Sequence, residues 1–182
     1  MLQFRIQGTP NPLARKYVLN RTLKNEGKIS YKDINACKHI PLASELLSNL
    51  GITQVHFFEN VLTITQNGQF DWSSIDESVQ NIVTSNMDSH DPNFEDYIEE
   101  SKTKPPLSPE LQKIDDILEK TIRPGLQMDG GDVELLDLEQ NILTIRYMGA
   151  CGGCPSSMTG TLEAIRHIIR EQYSEDIEIV AV

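Results

Sequence analysis

Two cysteines three positions apart, Cys151 and Cys154, sit in the run Met148-Gly149-Ala150-Cys151-Gly152-Gly153-Cys154-Pro155-Ser156-Ser157. Thiolates are ligands for soft metals and for iron–sulfur clusters, and a close pair of thiols also exchanges disulfides. Counting the thiols narrows the choice. An iron–sulfur cluster takes four thiolates as a rule, and a closed zinc site takes four nitrogen or sulfur ligands. The chain has three cysteines, and the third, Cys37, lies far upstream. Either two copies of the chain complete a four-thiolate site, or the pair works as a dithiol.

Three chemistries follow from the spacing. Two chains, each giving Cys151 and Cys154, would complete the ligation of a [4Fe–4S] core. A CxxC at a helix start also suits a thiol–disulfide oxidoreductase, although no βαβ context of the thioredoxin type is read around it. A structural zinc shared by two chains satisfies the same ligand count. Gly149, Gly152 and Gly153 let the backbone approach a bulky inorganic core. Pro155 suits a first helical position, which sets Cys154 beside a helix amino terminus, where thiolate is favoured over thiol.

The elements around the loop read as an α+β arrangement. Leu111, Ile114, Ile117, Leu118 and Ile122 mark one helical face, and the helix is expected to stop at Pro124. Val133 to Leu138 and Ile142 to Met148 read as strands joined at Glu139-Gln140-Asn141. Met158, Leu162, Ile165 and Ile169 mark a helix after the loop, and Ile177, Ile179 and Ala181 a last strand. The order is helix, strand, strand, CxxC loop, helix, strand. Upstream, Phe4 with Ile6, Tyr17 to Leu19, Val55 to Phe58 and Val61 to Thr65 read as strands, the last two a hairpin turning at Glu59-Asn60. Helices are read from Pro41 to a stop at Gly51, and after Trp72 through Ile75, Val79, Ile82 and Val83.

Composition divides the chain. Residues 1–84 carry a charge balance of +1, residues 85–108 of −4 and residues 109–182 of −8, for a net charge of −11 over 182 residues. The acidic segment ends in Pro105, Pro106 and Pro109, so 85–108 reads as a linker between domains at 1–84 and 109–182, with a short helix expected at Phe94–Glu100. The acidic carboxy-terminal half argues against nucleic acid and anionic membranes as partners. No apolar run approaches the roughly 20 residues of a membrane span. The amino terminus has no signal-peptide pattern, and three cysteines suit a reducing compartment. The expectation is a bacterial cytoplasm, with a processed organellar form as the other reading.

The chain resembles the Nfu family of iron–sulfur cluster scaffold and carrier proteins. The carboxy-terminal likeness rests on Ile122-Arg123-Pro124, on Gln127-Met128-Asp129-Gly130-Gly131-Asp132-Val133-Glu134, on Gly149 to Ser157 and on Thr161-Leu162. The amino-terminal likeness rests on Thr9-Pro10-Asn11-Pro12, Pro41-Leu42-Ala43, Gly51-Ile52, Val61 to Ile64 and Trp72. One departure is Ile40, which stands where the family pattern has Ser. The resemblance implies a [4Fe–4S] cluster held by Cys151 and Cys154 of two protomers. It also implies a homodimer bridged by the cluster, filled by upstream assembly machinery, that delivers to apo iron–sulfur proteins; a [2Fe–2S] core fits the same ligands. The implied role is that of a carrier and not an enzyme, with the amino-terminal domain a partner-binding module.

Other polar residues carry plainer expectations. Asp129-Gly130-Gly131-Asp132 reads as a tight helix-to-strand connection, its glycines at positive φ and its aspartates in water, not as a metal site. Cys37, beside His39, reads as a small buried apolar residue. His56 and His167 read as structural or surface residues, His90 as part of the linker, and Trp72 as amino-terminal core.

Overall fold

Phe4 and Ile6 alternate with polar neighbours, and the backbone there pairs as β1 (Phe4–Gly8) antiparallel to β2 (Ala14–Leu19), which buries Tyr17 and Leu19. With β3 (Lys28–Tyr31), β4 (Ile52–Phe58) and β5 (Val61–Gln66) they form one antiparallel sheet in the order β1-β2-β5-β4-β3. The turn between β4 and β5 has Glu59 at φ +50°. Helices α1 (Pro41–Ser48) and α2 (Trp72–Asn86) supply Leu42, Leu46, Ile75, Val79 and Val83 to a core shared with Tyr17, Phe57, Leu62 and Ile64. Asp76 of α2 accepts a hydrogen bond from the Tyr17 hydroxyl (2.6 Å) and pairs with Arg15, tying the helix to β2.

This computed structural model describes residues 1–95, 107–153 and 155–182, without the side chains of 152–159. Contacts divide the chain into two compact units, Met1–Tyr97 and Ile98–Val182. The first unit therefore runs past the expected boundary at residue 84. Met87 is buried in its core, Pro92 O accepts from Asn25 N (3.0 Å), and Phe94 stacks edge-on against Phe57 with ring centroids 6.0 Å apart. These apolar residues are scattered among aspartates, so the acidic composition concealed their role. Phe94 and Glu95 are not helical, and the rest of the expected helix at Phe94–Glu100 lies outside the described residues.

In the second unit, α3 (Pro109–Thr121) starts at a capping residue: Ser108 Oγ accepts from Leu111 N (3.2 Å), and Pro109 takes the first turn. Leu111, Ile114 and Leu118 face the core. The helix ends at Thr121, and Pro124 does not stop the chain. It sits in the first turn of a short α4 (Arg123–Met128), where the missing N–H is not needed. β6 (Gly131–Glu139) and β7 (Ile142–Gly149) pair antiparallel through a tight turn with Gln140 at φ +48° and Asn141 at φ +67°. A register shift between Leu135 and Asp137 marks a bulge. After a 3-10 turn at Ala150–Gly153, α5 (Pro155–Gln172) leads to β8 (Glu178–Ala181), which joins the far side of β7 in parallel. β7, α5 and β8 thus make a βαβ unit; the order strand, loop, helix, strand is the one read from the sequence, whereas the parallel pairing of β8 with β7 is a long-range contact that local spacing does not announce. Among the described residues, no helix is long and apolar enough to cross a membrane.

Candidate functional site

The cysteine loop leaves the end of β7, the central strand of its sheet, and is fixed by the turn between α4 and β6. Gly130, at φ +77°, gives that turn its left-handed step, and its carbonyl accepts a hydrogen bond from Ala150 N (3.0 Å). Gly131 pairs with Gly149 across the ladder, so two facing positions carry no side chain. The Cys151 sulfur fills the space so left. A Cβ on Gly131 would fall well inside contact distance of Cys151 Sγ, 2.9 Å from its backbone N and 3.0 Å from its Cβ. Cys151 is buried at 7 % exposure. Cys154 lies outside the described residues, between the 3-10 turn and the first residue of α5. An 18-residue helix, α5, starts at Pro155, directly after it in sequence.

Beneath the turn stands an ion cluster, built on the buried Arg123 and Asp132, that the sequence did not reveal. Arg123, 5 % exposed, donates from Nη2 to Asp115 Oδ1 (2.5 Å) and from Nη1 to Glu119 Oε2 (2.8 Å); its Nε lies 3.4 Å from Asp132 Oδ1. Its Nε and Nη2 also donate to Val133 O, each at 3.3 Å. Burial works against the guanidinium charge, but the bonds from Asp115 and Glu119 and the field of Asp132 outweigh it and raise its pKa. Asp132 does not face water. It is fully buried, accepting from its neighbour Val133 N (2.6 Å) and from Gln127 Nε2 (3.1 Å). A carboxylate enclosed this way needs a cation, and Arg123 supplies one. The pair joins α3 and α4 to the residue that follows Gly131, and so steadies the floor under Cys151. Arg123 and Asp132 both belong to the runs that carry the family likeness, but nine positions of spacing do not announce an ion pair.

Tyr147 is the other neighbour the sequence left unmarked. It follows Leu143 and Ile145 on the inward face of β7, pairs with Val133, and is 5 % exposed. Among the described residues, its buried hydroxyl has no hydrogen-bond partner. Burial first, and then the charge of Cys151, push the phenol up to about 12, against an opposing pull from Arg166. Inward parity on β7 was the available signal.

The remaining expectations fall as follows. Cys37 is buried in the first unit, its thiol turned toward Ile34 O (3.6 Å) and Asp33 O (3.8 Å), and burial with the nearby Asp33 pushes its pKa up to about 11. That is an inert structural thiol. His39 meets Glu95 O at Nε2 (3.0 Å), and His56 is buried with Nδ1 against Ser30 Oγ (2.8 Å). His167 is exposed on α5. His90 is not linker: it packs on the first unit, with Nε2 at Leu23 O (2.7 Å). Trp72 lies at the edge of the first core, donating to Pro12 O (3.0 Å) beneath the Arg15 guanidinium. Among the described residues, no three His, Cys, Asp or Glu side chains group as a metal site. The donor set of the loop is sulfur, with a glycine-walled cradle, and that chemistry fits a soft-metal or iron–sulfur cargo.

Comparison with known proteins points the same way. A family profile described as NifU-like domain matches residues 114–180, and another, described as scaffold protein Nfu/NifU N terminal, matches residues 4–90. NifU-like protein 4, mitochondrial, of Arabidopsis thaliana is 28% identical over 175 residues, covering 93% of this chain and 62% of that protein. The NFU1 iron-sulfur cluster scaffold homolog, mitochondrial, of Homo sapiens is 27% identical over 169 residues, covering 90% of this chain and 65% of that protein. The chain thus spans a little under two-thirds of the length of these curated relatives. Among solved structures, a NifU-like protein from Saccharomyces cerevisiae aligns at 21% identity with a TM-score of 0.45, over 56% of this chain and 87% of that one.

Proposed function

The chain belongs to the Nfu family of iron–sulfur cluster scaffolds, with both the amino-terminal and the NifU-like domain, and on that premise we propose that it carries a [4Fe–4S] cluster between the Cys151 and Cys154 pairs of two protomers. The carrying observation is stoichiometric: the loop of one chain offers two thiols, half of a four-thiolate site. The cluster is cargo. The Gly131–Gly149 notch holds one ligand sulfur at a defined place, the ion cluster under it keeps that place rigid, and the helix dipole stabilises the thiolates. A dimer that opens gives up half the ligands at once, and thiolates of an apo iron–sulfur protein replace the rest stepwise, as in other thiolate exchanges. No bond of a substrate is made or broken by a side chain, so the role is that of a carrier and not an enzyme. The first unit, with its own core, serves to bind partners: the assembly machinery that fills the site and the proteins that empty it. The working compartment is one that keeps thiols reduced, a cytoplasm or an organellar matrix.

The βαβ unit of β7, α5 and β8 is compatible with a dithiol role for the cysteine pair. That role remains less favoured, because Cys151 is buried whereas an attacking thiol needs access. Anaerobic reconstitution with iron and sulfide, followed by Mössbauer spectroscopy and gel filtration, separates the readings. Expected is a brown dimer with one cluster per two chains, lost in Cys151→Ser and in Cys154→Ser. A filled cluster on a single chain without added thiol would refute sharing; a colourless protein with a titratable disulfide or bound zinc would refute the cargo. Removal of residues 1–95 should spare loading and slow delivery to recipients. Unchanged delivery to every recipient would refute the partner role.

A further inference from the structure

We propose that the Tyr147 hydroxyl donates a hydrogen bond to the Cys151 sulfur when that sulfur ligates the cluster, and that this bond slows release of the cargo. The inference rests on the carrier reading above. Its starting point is a buried polar group: Tyr147 is 5 % exposed, and its hydroxyl finds no partner among the described residues. Phenylalanine would fill the same volume without burying an orphaned donor, and buried polar groups left unpaired in folded proteins call for an explanation.

The ladder shows what lies beside it. Tyr147 pairs with Val133 on the inward face, and the next pair on that face toward the loop is Gly131–Gly149. The two glycines leave open the space that Cys151 Sγ occupies. Tyr147 and the ligand sulfur are therefore successive occupants of one row, a separation of about 7 Å along the strand, which long aromatic side chains span. They also belong to the same buried cluster. The other group that acts on the phenol, Arg166, has its own bonds to Glu163 Oε1 (2.6 Å) and Ile179 O (3.2 Å). A neutral thiol is a poor acceptor, whereas a thiolate bound to iron carries negative charge and accepts a short, charge-assisted bond. The hydroxyl gains its partner when the cargo arrives, and loses it when the sulfur lets go.

The test compares wild type, Tyr147→Phe and Tyr147→Leu in the full chain. In the empty protein, Tyr147→Phe should be at least as stable to urea as wild type. In the loaded protein it should lose its cluster to an excess of iron chelator roughly tenfold faster, the loss expected for one charge-assisted hydrogen bond. Its Fe–S(Cys) stretching bands should move to higher frequency in the resonance Raman spectrum, a change that packing alone does not produce. Tyr147→Leu should match Tyr147→Phe. A Tyr147→Phe protein with wild-type lifetime and spectrum overturns the inference, as does a defect confined to Tyr147→Leu, which would assign the effect to the ring. Those outcomes leave the carrier reading intact. A wild-type chain that takes up no cluster, or keeps it in Cys151→Ser, overturns both.

Discussion

Replacing Gly131 by alanine tests the cradle directly. The added methyl would meet the Cys151 sulfur and stand 2.9 Å from the Cys151 amide N, closer than a side-chain carbon comes to backbone in folded proteins. The sulfur can swing aside, but the backbone one residue before it is held by the Ala150 N to Gly130 O bond, so the loop must shift as a whole. Overpacking of this kind costs about 1–3 kcal/mol per chain. With the cluster shared as proposed, that cost falls on both protomers, about 2–6 kcal/mol in all, or roughly thirty-fold to twenty-thousand-fold in cluster retention. The assay is the ratio of cluster to chain after reconstitution and its lifetime under chelator, with the urea midpoint of the empty protein alongside. Gly125→Ala is the control. Nothing lies within 4 Å of a Cβ there, and alanine in α4 should leave loading unchanged while stabilising the fold by about 0.5 kcal/mol. A Gly131→Ala protein that loads fully and holds its cluster as long as Gly125→Ala would refute the claim that this glycine positions the ligand.

Two other measurements probe the framework. Asp132→Asn removes the buried anion between Arg123 and Gln127, and should lower the stability of the second unit by about 3 kcal/mol in urea melts, while an unaltered midpoint would show that Asp115 and Glu119 suffice. Acidification should weaken the first unit through His90. Burial lowers its pKa below the ordinary 6.5, partly opposed by Leu23 O and Asp91, so the folded unit binds fewer protons than the unfolded chain below that pH. Its contribution is intact above pH 6.5 and is lost as the pH falls toward the folded value. Thermal midpoints from pH 7.5 to 5 should therefore fall less steeply for His90→Gln, and parallel profiles would count against the argument.

The elements that were legible in the sequence share a local signature. The apolar face of α3, the β6–β7 hairpin, the loop after β7 and the inward stripe of α5 each follow from spacing within one element. What was missed depends on distant partners. β3 is four residues, Lys28–Tyr31, with a charge at its start, and becomes a strand only beside β4. α4 was hidden because Pro124 read as a stop, although proline is well suited to a first turn. Asp132 looks like a surface turn residue until Arg123 folds against it, and Tyr147 looks like ordinary core until Cys151 settles into the notch beside it. Cys151 stands out in the sequence by its thiol chemistry and spacing alone, whereas its burial depends on the notch and could not be read there.

The strand that bears the loop has a neighbour on either hand, β6 along its whole length from Ile142 to Gly149 and β8 over Ile142–Ile145. Such a strand cannot peel away without breaking both ladders. On the carrier reading proposed above, the two chains would part and the sulfur atoms would trade partners with the β-framework of each copy unmoved. An emptied copy would then have nothing to refold before its next load.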